Sequence, residues 1–342
     1  MKLALIGFGV VGQGLAKIMR DKGAELRRDC GFDAKIVAVS DAMKGALYHP
    51  DGLNIATILQ VVEQTGKLDA YPDAPGLVRG MDSLQTIQKT NADVIVEVSY
   101  TNIQTGEPAI THCRAAFEAA KHVVTSNKGP VALAYTELMS LARLSSVTLG
   151  YEGTVMSGTP SLWLGSQGLQ GATIYEVRGI FNGTTNYILS EMESGKSYGD
   201  ALAEAQRLGY AEADPTADVE GWDTMGKVLI LANTLMGTSL TAAQVPTRGI
   251  SQITAEDVAR AAQVGQRWKL IGSVRRDANG ITASVQPMAL STADPLANVR
   301  GVTNAITYVT DLLGEVTLVG PGAGQIPTGY ALLADLLKIR IS

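Results

Sequence analysis

The sequence predicts an α/β protein, a doubly wound parallel sheet followed by a second α+β domain, and three observations predict it. A short apolar run, Lys2–Ile6, passes through glycines into Val11, Leu15, Ile18, Met19 and Leu26 at helical spacing, which reads as strand, tight turn and helix. Further strand-like stretches at Lys35–Ser40, Ala92–Val98 and His122–Thr125 alternate with helix-like or polar sequence, the rhythm of a parallel sheet with helices on both faces. Around Gly150 that rhythm gives way to glycine-punctuated loops.

Beyond Gly150 come a strand-like Ile174–Phe181 and helical segments from Tyr187 to about Met236. Two more strand-like stretches, Leu270–Arg275 and Ile281–Pro287, flank a hairpin-like turn at Asp277-Ala278-Asn279-Gly280. The expected organisation is a first domain over 1–150, a second over 151–309, and a C-terminal segment, 310–342, returning to the first. In that segment Pro321-Gly322-Ala323-Gly324 precedes a helix running through Lys338. No internal repeat or low-complexity stretch interrupts this plan.

Bulk properties narrow the function. At 342 residues and 46% apolar, the chain can bury two cores. A formal charge of −5, from 28 basic and 33 acidic residues, gives no field for a polyanion, so nucleic acid is not an expected partner. Cys30 and Cys113 cannot form a disulfide framework and lack zinc spacing, which fits reduced thiols in the cytoplasm. The first six residues already form a strand rather than a leader, and no apolar run approaches the roughly 18 residues of a membrane span. Small-molecule chemistry is the expectation that remains.

The turn Gly7-Phe8-Gly9-Val10-Val11-Gly12 makes that chemistry specific. Its first glycine permits the bend, its second lets backbone approach a pyrophosphate, and its third lets helix and strand pack closely. The helix N-terminus behind it offers amide donors and a positive dipole end to phosphate. Alone the motif is weak; following a strand and opening a helix within a βαβ unit, it indicates a Rossmann-type dinucleotide site for NAD or NADP. Asp41 closes the second strand, where an acid accepts from the adenine ribose. It lies 29 residues after Gly12 rather than the usual 20 or so, a difference the longer helix with its exit at Arg27-Arg28-Asp29 accounts for. Asp41 favours NAD, whereas Lys44 could attract a 2′-phosphate, so the choice between the two cofactors stays open.

In the second domain, Glu212, Asp214 and Asp218 fall within Gly209-Tyr210-Ala211-Glu212-Ala213-Asp214-Pro215-Thr216-Ala217-Asp218, before a helix expected from near Val219. A solvated loop with Asp218 as N-cap is the plain reading. Glu220, Asp223 and Lys227, however, would share one face of that helix. The face continues through Ile230 and Thr234 in the apolar Val228–Leu235, so the helix is expected to be buried. Burial lowers a lysine pKa and a carboxylate raises it, which is how a proton-transferring lysine is tuned.

The glycine turn, Ser126-Asn127-Lys128-Gly129-Pro130, Gly179-Ile180-Phe181-Asn182-Gly183-Thr184-Thr185-Asn186-Tyr187-Ile188, the Gly-Tyr-x-Glu-x-Asp-Pro segment at 209–215 and Asp223-x-x-x-Lys227 together resemble the homoserine dehydrogenase family, in order along nearly the whole chain. The resemblance implies NAD(P)H-dependent reduction of L-aspartate 4-semialdehyde to L-homoserine, on the route to threonine, methionine and isoleucine, by a homodimer acting on a small molecule. It implies that Lys227 is the proton donor and Asp223 its partner, and that Lys128 lies between nicotinamide and substrate. Glu212 would bind the substrate amino group, with Asp218 and Tyr210 lining the pocket and Gly183 and Thr184 also meeting substrate. Ser99 and Gly322 are carried over as cofactor contacts.

The loop 152–160 resembles the family's monovalent-cation loop, with Glu152, Val155, Ser157 and Thr159 in the ligand positions for a structural sodium ion; oxygen-only ligation suits a hard cation. Ala213, Trp222 and Met156 depart from the family's usual pattern. An indole beside Asp223 could narrow the pocket, which leaves a sister dehydrogenase for another small hydroxy compound as an alternative. A non-catalytic nucleotide-binding protein is a second alternative, disfavoured by the joint presence of Lys128, Glu212, Asp223 and Lys227. The sequence ends soon after the tail helix, so feedback control through the regulatory domain that some members carry is not expected. His49, His112 and His122 lack metal or triad spacing and are expected to be structural.

Overall fold

Leu3 and Leu5 of strand β1 (Lys2–Ile6) belong to one buried cluster and Ala4 and Ile6 to another. A strand apolar on both pleats has to be covered on both faces, and the computed structural model, which describes residues 1–339, covers it so. Two compact units form: Met1–Gly158 with the described residues from Gly324 on, and Thr159–Ala323. No helix among the described residues is long and apolar enough to cross a membrane.

The first unit holds a seven-stranded sheet in the order β4-β3-β2-β1-β5-β6-β7. Strands β2 (Lys35–Asp41), β5 (Val94–Glu97), β6 (His122–Thr125) and β7 (Leu149–Gly150) run parallel with β1. The sheet therefore reverses its winding at β1, between β2 and β5, and ligands of such sheets bind at the C-terminal ends of these strands. Strands β3 (Gly45–Tyr48) and β4 (Val78–Arg79) extend it antiparallel, where only parallel strands were expected. They are only four and two residues long, and β4 is exposed, so neither is long enough to read as a strand in the sequence.

Helices α1 (Val10–Cys30), α2 (Ile55–Thr65), α3 (Ser83–Lys89), α4 (Ala109–Glu118), α5 (Lys128–Leu133) and α6 (Tyr135–Leu144) connect these strands. Arg27-Arg28-Asp29 is not an exit: α1 continues to Cys30, with Arg27 and Arg28 in its last turn, where cations complement the dipole, and Gly31 left-handed as its cap.

The second unit is a five-stranded antiparallel sheet, β10-β9-β8-β11-β12. Its strands are β8 (Ile174–Ile180), β9 (Gln266–Asp277), β10 (Gly280–Ser291), β11 (Thr303–Thr310) and β12 (Gly314–Pro321). After the single turn α7 (Ser161–Trp163) come α8 (Gly183–Glu193), α9 (Tyr198–Arg207), α10 (Thr216–Val219), α11 (Trp222–Leu235) and α12 (Ala255–Gln263). The divide between units falls after Gly158 and again after Ala323, where boundaries at 150 and 309 were expected. The second shift has a plain cause: β12 pairs with β11 along its whole length, so residues 314–321 stay with this sheet.

The last helix, α13 (Gln325–Leu336), returns to the first unit and packs on α1. At the crossing a Cβ on Gly14 would sit 2.1 Å from the Gln325 carbonyl oxygen, so the contact admits no side chain. Gly14→Ala should part the two helices and cost about 1–3 kcal/mol, read as a fall in chemical-denaturation midpoint. Gly23→Ala, in the same helix with nothing within 4 Å of the added carbon, should instead stabilise by roughly 0.5–1 kcal/mol. Equal effects from the two would contradict this packing.

Candidate active site

The glycine turn joins β1 to α1 at the point of reversed winding. Gly7 is left-handed (φ +99°), and a Cβ there would lie 2.3 Å from the Val98 carbonyl oxygen. A Cβ on Gly12 would lie 2.7 Å from the Gly7 carbonyl oxygen, whereas around Gly9 nothing lies within 4 Å of an added Cβ. Gly9 is also the N-cap of α1, and no side chain caps it. The first and third glycines are thus demanded by packing and the second faces open space at a helix N-terminus, a cradle that fits a pyrophosphate.

Asp41 closes β2 and ties that strand to the turn. Its Oδ2 accepts from Phe8 N at 2.7 Å, and its Oδ1 accepts from Met43 N and Lys44 N at 2.9 Å each. Lys44 Nζ stands 4.0 Å from the same carboxylate. Burial acts to raise the pKa of Asp41, but the three amides and the lysine outweigh it and hold the group below its ordinary value. Val10 is exposed and Val11 half-buried on the first turn of α1. Ser99 follows β5, and Lys128, half-buried, opens α5 behind its cap Asn127, whose Oδ1 accepts from Gly129 N at 3.1 Å.

Glu152 is buried in this unit. Its backbone N donates to Asp335 Oδ2 at 2.8 Å, and Lys338 Nζ lies 4.0 Å from its carboxylate and 3.0 Å from that of Asp335. Val155 is buried, and Ser157, left-handed, pairs its hydroxyl with Thr328 at 2.8 Å. Thr159, the first residue of the second unit, donates its hydroxyl to Pro321 O at 2.9 Å. Among the described residues no group of three or more His, Cys, Asp and Glu could hold a metal. One carboxylate among carbonyls and hydroxyls suits a monovalent ion better than a divalent one.

In the second unit the expected single helix from Val219 is broken. α10 ends at Val219, Gly221 is left-handed (φ +84°), and α11 starts anew at Trp222. Glu220 therefore does not share a face with Asp223 and Lys227, and Asp218 lies inside α10 rather than capping a helix. The remaining pair stands: Lys227 is buried, donating to Asp223 Oδ2 at 2.7 Å and to Phe181 O at 2.5 Å.

Asn182, between β8 and α8, joins this pair to Asp218. Its Nδ2 donates to Asp218 Oδ1 at 2.7 Å and to Asp223 Oδ2 at 3.0 Å, while its Oδ1 caps α8 by accepting from Thr185 N at 2.9 Å. Sequence reasoning missed this residue; its one signal was a polar side chain at the start of a helix. Thr184 donates its hydroxyl to Tyr210 O at 2.6 Å, and the Tyr210 ring stands edge-on to Tyr187 at 5.1 Å. Gly183 opens α8. Glu212 is exposed, as is Trp222. Gly322 lies against the buried Asn304 amide, 2.1 Å from where a Cβ would stand.

Comparison with known proteins places the chain among enzymes. A family model described as Homoserine dehydrogenase matches residues 160–337, and one described as Glutamate/Leucine/Phenylalanine/Valine dehydrogenase matches residues 1–127. The chain is 45% identical to an NAD(+)-dependent homoserine dehydrogenase of Pseudomonas canavaninivorans, over 100% of this chain and 96% of that one. A crystal structure of a putative homoserine dehydrogenase from Archaeoglobus fulgidus superposes with a TM-score of 0.89 at 36% identity, over 99% of this chain and 98% of that one. A hyperthermophilic archaeal homoserine dehydrogenase in complex with NADPH gives a TM-score of 0.82 at 30% identity, over 98% and 96%.

Two carboxylates around one ammonium leave a mark on Asp218. Burial, and then the charge of Asp223, push its pKa up against the opposing Asn182, Lys227 and Thr184. An acid whose folded pKa exceeds its unfolded value binds its proton more tightly when native. Its contribution to stability is therefore present at low pH and lost as pH rises through the folded value. Asp218→Asn should accordingly raise the Tm near pH 7, with the gain shrinking as pH falls toward 3.8, the ordinary aspartate value. A Tm at pH 7 that is unchanged or lower by calorimetry would contradict the assignment of strain to this carboxylate.

Proposed function

The chain belongs to the homoserine dehydrogenase family and interconverts L-aspartate 4-semialdehyde and L-homoserine with NAD(P), and from that premise we propose that Lys227 carries the proton to and from the substrate oxygen. The observation that supports the role is a buried ammonium held against Asp223 at 2.7 Å. Reduction of the aldehyde builds negative charge on its oxygen, which an ammonium stabilises and then protonates. In the oxidative direction the same group receives the hydroxyl proton. Asp223 aims Lys227 and stabilises its protonated form, so the neutral amine takes up the hydroxyl proton readily in the oxidative direction, and Asn182 keeps Asp223 in place.

The amino-acid end of the substrate needs anionic and donor groups in turn. Asp218 and Glu212 answer its ammonium, Glu212 from the exposed 209–215 loop. The start of α8, with Gly183 and the Thr184 hydroxyl, answers its carboxylate, and Tyr210 lines the pocket.

The bound dinucleotide supplies the hydride. In the first unit, Gly7, Phe8, Gly9, Val10, Val11 and Gly12 hold its pyrophosphate at the α1 N-terminus, and Ser99 and Lys128 serve its nicotinamide end. We assign the preference to NAD(H): Asp41 is held ionised by three amides, so a ribose 2′-hydroxyl can donate to it and a 2′-phosphate is repelled. Lys44 is already drawn to Asp41. A sodium ion at Glu152, with the Val155, Ser157 and Thr159 oxygens, is proposed as structural. A homodimer and a cytoplasmic location are proposed likewise, the latter because Cys30 and Cys113 are free thiols.

Lys227→Met should lower kcat for homoserine oxidation by about 100-fold or more while NADH still binds; undiminished turnover would refute the proton-transfer role. Asp41→Ser should shift the ratio of kcat/KM for NAD over NADP by about ten-fold toward NADP, about 1.4 kcal/mol. An unaltered chain that already prefers NADP would overturn the preference.

A further inference from the structure

Glu97 closes β5 with its side chain fully buried. An enclosed carboxylate survives only when donors surround it, and the donors here come from three separate elements. Its Oε1 accepts from the Ser99 hydroxyl and from Ser99 N at 3.2 Å, and His112 Nδ1 on α4 lies 3.2 Å away. Since a carboxylate can only accept, the imidazole donates. Thr125, at the end of β6, donates its hydroxyl to the Glu97 carbonyl at 2.7 Å and leans on Oε2 at 3.4 Å.

The bonds close into a ring. Thr125 Oγ1 accepts from Asn127 N at 2.9 Å, and Asn127 Nδ2 donates back to Ser99 O at 3.3 Å. The path Glu97, Ser99, Asn127, Thr125 and back to Glu97 thus couples the loops that follow β5 and β6. Those loops carry Ser99 and, immediately after Asn127, Lys128. The ring also stands directly behind the glycine turn, because Glu97 is paired with Ile6 of β1 and an added Cβ on Gly7 would lie 3.0 Å from Ser99 N.

We propose that Glu97 is a positioning residue for the dinucleotide: acting through Ser99 and Asn127, it fixes the two loops at the C-terminal edge of the sheet in the geometry the nicotinamide end requires. His112, expected to be merely structural, is part of this device as the outer brace of the carboxylate. The inference rests on the reading of the first unit as the dinucleotide-binding half. It differs from ordinary core stabilisation because the ring holds loops at the edge of the sheet, whereas another buried polar side chain, Lys121, holds the carbonyls of Ile87 and Thr90 at the end of α3.

The test measures the dissociation constants of NADH and NADPH by calorimetric titration of the full chain without homoserine, beside the Tm of each variant. Glu97→Ala should weaken whichever cofactor binds better by about ten-fold, and Glu97→Gln, which keeps an acceptor toward Ser99, should recover most of the loss. Lys121→Met should lower the Tm and leave both constants unchanged. Thr125→Val, which opens the ring from its other side with little change of volume, should weaken the cofactor as well and decides the matter if Glu97→Ala does not fold. Unchanged affinity in folded Glu97→Ala or Thr125→Val, or an equal loss in Lys121→Met, would overturn the proposal. If the unaltered chain bound neither nucleotide, the dinucleotide-binding reading would itself fail and take the proposal with it, an outcome visible before any variant is made.

Discussion

A lysine ammonium enclosed in a folded chain has to be neutralised where it sits, and much of the second unit follows from that requirement. Asp223, one turn before Lys227 on α11, is the local answer. It is not the whole answer, because Asp218 shares the Asn182 amide with Asp223. Two carboxylates against one ammonium leave an excess of negative charge in a poorly hydrated place, and the raised pKa of Asp218 is its signature. A substrate that brings an ammonium of its own relieves that excess. Under the substrate-binding role proposed for Asp218, charge that opposes folding in the free protein becomes affinity for an amino acid, a common origin of strain at functional sites.

The same requirement shapes the backbone. Lys227 donates to Phe181 O, at the point where β8 gives way to α8, and the next residue, Asn182, caps α8 while holding both aspartates. The site is assembled at a strand end, a helix start and a helix face rather than on free loops, which favours precise geometry. Gly221 then performs a separate task. By turning left-handed it ends α10 and lets α11 begin in a new direction, so that Asp218 can face Asn182 from one helix while Asp223 does so from another.

How far the sequence announced this depends on distance along the chain. The glycine turn, Asp41 at the end of β2, and Asp223 four residues before Lys227 are local patterns, and local patterns are legible. Asn182 stands 41 residues from Asp223, and Glu97 stands 15 from His112 and 28 from Thr125. Only the parallel register of β5 and β6 and the packing of α4 bring these groups together. Glu220 failed for a different reason: helical periodicity was read through a glycine whose positive φ breaks it. Strand β11 is absent from the reading of the sequence although Ile306, Thr307, Tyr308 and Val309, bounded by Gly301 and Gly314, carry a strand signal. β12 carries a similar signal in Val316, Thr317, Leu318 and Val319, flanked by the glycine, glutamate and proline that an edge strand open to solvent tolerates.

Asp41 poses an apparent contradiction, a carboxylate placed beside a turn that has to bind phosphates on a chain already carrying −5. Its oxygens resolve it. One of them accepts from Phe8 N, an amide of the glycine turn itself, so the carboxylate fixes the shape of the cradle while the cradle holds the carboxylate ionised. Attraction for pyrophosphate comes from the amides and dipole at the start of α1, which act over the first turn only. Repulsion from Asp41 is likewise local, because three amides and Lys44 surround it. The two effects therefore act on different parts of one ligand, the pyrophosphate and the ribose. Under the proposed preference for NAD(H), that separation is what would let a net-negative protein bind a dinucleotide and still discriminate against one more phosphate.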